Sequence, residues 1–157
     1  MTILLMDVEN LYRSIGKRFS GRLDYDKYVK FVEERFGVPI SVKMAYGSQK
    51  PRDAKSFISL LKMLGFTTRF DEGIDWNIPI TLTAMELAKQ GGMVIFGSNH
   101  KSLFPLVQAL QEKGVRTFIC GCCIHPILRQ LSEYHEIDES LLITEIPETT
   151  EGSGIII

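Results

Sequence analysis

Met6-Asp7-Val8-Glu9-Asn10 sets an acid, a second acid and an amide directly after a run of apolar residues. A carboxylate at such a point can hold a hard divalent cation through oxygen donors while still reaching a phosphate. It can equally act as a helix N-cap that satisfies the first-turn amides. A second polar loop, FGSNHKS from Phe96 to Ser102, offers glycine, hydroxyl and amide groups at the start of a helix, with Lys101 as a countercharge for an anion. Its spacing matches neither the Walker loop nor the Gly-rich dinucleotide fingerprint. His100 in this loop is a candidate base or ligand; the plain alternative is a polar residue opening a helix. Trp76, beside Asn77, either stacks a base or caps the core under a helix, the second being preferred. Cys120, Cys122, Cys123 and His125 carry enough sulfur and nitrogen for zinc, but the pattern lacks separated ligand pairs, so buried thiols at a strand end are expected. Arg52, Lys55 and Lys62, with Lys50 before them and Arg69 after, can track a phosphate backbone or simply form a solvated helix face.

These residues need elements to position them. Thr2 to Met6 reads as a buried strand, and Val8 to Gly16 as a helix ended by glycine. After a basic loop, Asp24 caps a helix over Tyr25 to Phe36 that stops at Gly37. Ile40 to Tyr46 is a strand, Arg52 to Leu64 an amphipathic helix with Phe57, Ile58, Leu61 and Leu64 inward, and Phe66 to Phe70 a strand. Beyond the acidic loop Asp71 to Asp75, a helix over Ile78 to Lys89 accepts Pro79 in its first turn. Met93 to Phe96 is a short buried strand, Ser102 to Lys113 a helix, Val115 to Cys120 a strand and Pro126 to Glu133 a last helix. Leu141 to Thr144 is assigned as a short edge strand. Strand and helix alternate throughout, which predicts an α/β domain with a mostly parallel central sheet of about five strands and helices on both faces. Ligands of such sheets bind outside the carboxyl ends of the strands.

The bulk properties agree. A chain of 157 residues with 45% hydrophobic and 24% charged residues fits one globular domain. No apolar stretch is long enough to span a membrane, and the short apolar start lacks a basic leader, so a cytoplasmic location is expected. The clustered, odd-numbered cysteines point to a reducing compartment. Net charge is −1, yet Met1 to Arg69 carries 13 Lys and Arg against 7 Asp and Glu, and Phe70 to Ile157 carries 5 against 12. Such a split can create a positive surface for an anionic partner.

Three blocks resemble one family. ILLMDVENLY is similar to an opening strand followed by Asp, two variable residues and Asn. DWNIPITLTAMELA is similar to a block with Gly-Val-Asp-Val, apolar residues, a further Asp and a helix. VIFGSNHKSLFPLVQALQEKGVRTFICG is similar to a strand, Ser-Gly-Asp-Ser-Asp, a Phe-x-Pro-Leu-Val helix start, Gly and another strand; LRQLSEYHEIDE falls where a final helix and short strand belong. Together they resemble the NYN domain family of PIN-like, metal-dependent nucleases, which includes the LabA-like proteins. The resemblance implies a single three-layer PIN-like domain over residues 1–146; the stretch 147–157, with Thr149, Thr150, Gly152, Ser153 and Gly154, reads as a flexible tail from its composition. It also implies RNA handling, with clustered carboxylates holding magnesium or manganese to activate water against a phosphodiester. Matched residue by residue, Asp7 and Asn10 are kept, while Asn77, Thr83, His100 and Ser102 stand where Asp is expected.

With those carboxylates replaced, most of the charge that holds a divalent cation is gone. The expected site is thus a degenerate one: Asp7, Asn10, Asn77, Asn99 and His100 at the catalytic positions, Asp7 as the metal ligand, and Lys50, Arg52, Lys55, Lys62 and Lys101 as nucleic-acid contacts. The first expected function is binding of RNA or another single-stranded nucleic acid, or interaction with a protein partner or a second copy of the chain. One alternative is a magnesium- or manganese-dependent endoribonuclease with a residual site at Asp7, helped by Glu9, by one of Asp71, Glu72 and Asp75, or by His100. The other is a nucleotide- or small-ligand-binding regulatory domain.

Overall fold

A computed structural model describes residues 1–49 and 54–143. In chain order the elements are β1 (Thr2–Asp7), α1 (Val8–Arg18), β2 (Arg22–Leu23), α2 (Tyr25–Phe36), β3 (Val42–Gly47), α3 (Ala54–Met63), β4 (Thr67–Phe70), α4 (Asn77–Leu87), β5 (Met93–Gly97), α5 (Phe104–Glu112), β6 (Arg116–Gly121), α6 (Pro126–Leu131), β7 (Glu133–Glu136) and β8 (Leu142–Ile143), with 3-10 turns at Lys101–Leu103 and Glu139–Leu141. Six strands form one sheet in the order β4-β3-β1-β5-β6-β7, every neighbouring pair parallel. β2 and β8 pair antiparallel as a separate ribbon.

The central strand shows why the sheet has two covered faces. β1 is buried along its whole length, and because side chains alternate, Leu4 and Met6 join the core beneath α1, α2 and α3 while Ile3 and Leu5 join the core beneath α4, α5 and α6. The first layer packs Leu11, Ile15, Tyr28, Val32 and Leu61 on the sheet; the second packs Ile80, Ala84, Val107, Leu110 and Leu128. The result is the expected three-layer α/β architecture.

Local chemistry sets the boundaries. Asp24 accepts from the Lys27 N–H at 3.1 Å, and Gly37 closes α2 with φ of 67°, the left-handed turn that glycine takes without strain. α1 continues past Gly16 to Arg18, since Lys17 and Arg18 suit the negative end of the helix. The sheet gains a sixth strand: the last helix stops at Leu131, and Glu133 opens β7 instead of closing α6. The strand assigned at Leu141 to Thr144 appears as Leu142–Ile143, paired with β2 away from the main sheet, its last residue lying outside the described residues. Ser102 sits in a 3-10 turn that precedes α5. The tail at 147–157 also lies outside the described residues.

Candidate functional site

From β1 the chain builds outward to β3 and β4, then returns to β5 on the other side and proceeds to β6 and β7. The crevice between the carboxyl ends of β1 and β5 is therefore the topological switch point, where open α/β sheets take their ligands. Asp7 ends β1 there, and Ser98 follows β5 beside it, since Met6 is in register with Gly97.

Asp7 is 8% exposed and its Oδ1 accepts the Asn10 N–H at 3.0 Å, capping α1. Burial raises its carboxyl above the ordinary value; the charges of Glu9 and Asp75 push the same way, and the Asn10 amide and Arg13 only partly offset them. Of the third-loop acids, Asp75 adds its charge at Asp7, while its Oδ1 accepts the Asn77 N–H at 3.1 Å. Glu9 does not turn towards Asp7 as a second ligand. Its Oε1 accepts the Trp76 Nε1–H at 3.1 Å and its Oε2 lies 3.7 Å from Arg13. Trp76 is 3% exposed, packs on Tyr46 with ring centroids 5.5 Å apart and carries Arg69 over its face, so it caps the core and is no platform for a base.

Of the residues expected to stand in for Asp, Thr83, His100 and Ser102 are held by neutral partners. The Thr83 hydroxyl bonds the Tyr46 hydroxyl at 2.9 Å. Nδ1 of His100 accepts the Ser102 N–H at 3.1 Å and bonds the Ser102 hydroxyl at 2.7 Å, which makes His100 the cap of the 3-10 turn. Asn10 and Asn99 clasp each other: Asn10 Nδ2 donates to Asn99 Oδ1 at 2.8 Å, and the Asn99 N–H donates to Asn10 Oδ1 at 3.1 Å. Asn99 Nδ2 then donates to the Cys122 carbonyl at 2.9 Å, tying the loop after β5 to the loop after β6. Two buried oxygens, Asn77 Oδ1 and Ser98 Oγ, have no partner among the described residues. Each would cost roughly 1–3 kcal/mol if nothing satisfied it, so both suit a water or a ligand group.

Cys120 and Cys122 are buried thiols, and Cys123 is half-buried. Burial pushes Cys120 and Cys122 up to about 12, and Cys122 Sγ lies 3.8 Å from Cys123 Sγ. On the expected nucleic-acid contacts, Lys55 and Lys62 are exposed on α3, with no hydrogen bond or ion pair to the site among the described residues, and Lys101 is exposed at the start of its turn. Lys50 and Arg52 lie outside the described residues. Residue spacing gave no hint of Arg18, Arg129 and Glu136, which meet near Lys101; their pairing crosses most of the chain and has no local pattern.

A parallel sheet with a polar crevice at its switch point and an acid closing its first strand is consistent with a PIN-like domain. The NYN domain family model matches residues 1–137, and the chain belongs to that family. No curated protein matches it significantly. The family's nucleases typically depend on a divalent metal and act in nucleic-acid processing. Here the donors fit such an ion poorly: among the described residues no three His, Cys, Asp or Glu side chains gather to hold a metal, and Asp7 is the one buried carboxylate. No described helix is long and apolar enough to cross a membrane.

Proposed function

We propose that this NYN domain binds single-stranded nucleic acid, RNA in the first place, through a degenerate metal site that no longer cleaves. The observation that carries this reading is the fate of the replaced carboxylates. Thr83, His100 and Ser102 are engaged with neutral neighbours, and Asn10 with Asn99 forms a closed amide pair, so the crevice keeps its shape while lacking the anionic oxygens that concentrate magnesium or manganese. Such a crevice can seat a strand and polar base edges without activating water.

A second reading has its own support. Ser98 Oγ, beside Asp7 at the end of β5, and Asn77 Oδ1 have no partner among the described residues, and Asp75 adds negative field at Asp7, which together favour a weak residual cation site. The two readings part in one assay, incubation of labelled single-stranded RNA with manganese beside an Asp7→Ala control. The expected outcome is binding at low salt, no cleavage, and a melting temperature that millimolar manganese leaves unchanged. Manganese-dependent cleavage that the substitution abolishes would sink the degenerate reading in favour of the residual endoribonuclease.

A further inference from the structure

The loops after β5 and β6 and the end of α1 border an open cleft of about 550 Å³, lined by Asn99 but not by Asp7. Among the described residues three cations line it, Arg18, Lys101 and Arg129, together with His100 and His125, and no Asp or Glu does. Glu136 lies behind, and it is fully engaged. Its two oxygens accept the Cys123 N–H at 2.6 Å and the Ile124 N–H at 2.8 Å, and it sits 3.8 Å from Arg18 and 3.7 Å from Arg129. It therefore fixes two guanidinium groups while cancelling one charge, and the cleft stays net positive. Arg129 is held further by its Nε–H, which donates to the Ile124 carbonyl at 3.1 Å. The histidines add donors: Nδ1 of His125 accepts the Ile127 N–H at 3.2 Å and Nδ1 of His100 accepts the Ser102 N–H, which leaves Nε2 of each ring as its N–H donor. Fixed guanidinium groups, a free ammonium and two imidazole N–H donors are the chemistry that recognises a phosphate.

We infer that this cleft is a phosphate-binding subsite for the strand that occupies the neighbouring Asp7 crevice, Asn99 being the residue shared by the two. The inference rests on the nucleic-acid reading above. The phosphate can come from the backbone or from a 5′ terminus, and the chemistry is the same.

Fluorescence anisotropy with a labelled single-stranded RNA tests it on the intact chain, comparing wild type, Lys101→Glu, and the α3 double variant Lys55→Glu/Lys62→Glu. Lys101 is exposed and has no partner among the described residues, so its replacement leaves the fold intact. The expected result is a loss of about tenfold or more for Lys101→Glu and little change for the α3 variant. In parallel, inorganic phosphate should shift the amide resonances of Cys123, Ile124 and Arg129. Tighter binding of a 5′-phosphorylated strand than of its 5′-hydroxyl twin assigns the cleft to a terminal phosphate, and equal binding assigns it to the backbone. If Lys101→Glu binds like wild type and phosphate moves none of those amides, the subsite is overturned while strand binding stands. If phosphate moves them but no strand binds, the nucleic-acid reading fails and the phosphate site survives it.

Discussion

Asp7 is under two opposed demands. As N-cap it gives α1 an acceptor, a contribution of about 1 kcal/mol in comparable helices. As a buried acid it sits beside Glu9 and Asp75, and its folded-state carboxyl titrates above the ordinary range. Between the unfolded and folded values the native state holds the proton more tightly than the unfolded chain does, so stability falls as pH rises through that interval and stays lowered at neutral pH. Asparagine keeps the cap and cannot ionise. Asp7→Asn should therefore melt above wild type at neutral pH, an advantage that shrinks as pH falls to the ordinary carboxylate range, whereas Asp7→Ala should be about 1 kcal/mol less stable than Asp7→Asn throughout. Thermal melts of the three proteins across pH check this, and a wild type more stable than Asp7→Asn at neutral pH would contradict it. At this scale the residues ending strands were legible, because an acid or amide after a buried run has few other reasons to be there. Asp7 ends β1, Asn10 lies in the first turn of α1, and Asn99 and His100 follow β5. Glu9 was not: its partner Trp76 lies in a distant segment, and nothing local signals that its charge is used on an indole N–H.

Between elements, the crevice depends on how closely β5 and β6 end. Gly121 closes β6 with its Cα facing the Ser98 backbone carbonyl, and a Cβ there would collide with that oxygen. Backbone cannot swing aside as a side chain tip can. Gly121→Ala should cost about 1–3 kcal/mol, read by chemical denaturation, and should push the Asn99 loop out of its bond to the Cys122 carbonyl. Nucleic-acid affinity of the variant, measured where it is still folded, should then fall; unchanged affinity would mean that the Asn99 clasp is not part of the interface. The alternation of strands and helices was readable because each strand of the sheet's centre is a continuous apolar run. β7 escaped for the opposite reason. Its Glu-Tyr-His-Glu sequence is that of a blunted edge, with charges that discourage further pairing, and Glu133 is held across the strands by Arg116 at 2.6 Å. No glycine marks the end of the last helix in the sequence; Ser132, extended and buried, ends it before Glu133.

Over the whole molecule, the division of the sequence into a basic first half and an acidic second half does not survive folding as two faces. Arg18 comes from the first half, Lys101 and Arg129 from the second, and they line one cleft. With a net charge of −1 the protein as a whole does not attract a polyanion, so attraction has to be local. That sets the salt dependence. For single strands the slope of log K against log salt is about −0.7 per phosphate neutralised, so a strand held at the cleft by its three cations should show a slope of about −2. A strand running also over Lys55 and Lys62 on α3 would steepen it to about −3.5. Anisotropy titrations over a series of potassium chloride concentrations separate the two paths, and the expected value is the shallower one, reduced by about 1 more in Lys101→Glu. A steep slope that Lys101→Glu leaves untouched would move the interface to α3, whereas a slope near zero would mean that phosphates contribute nothing and that the strand is held by its bases alone.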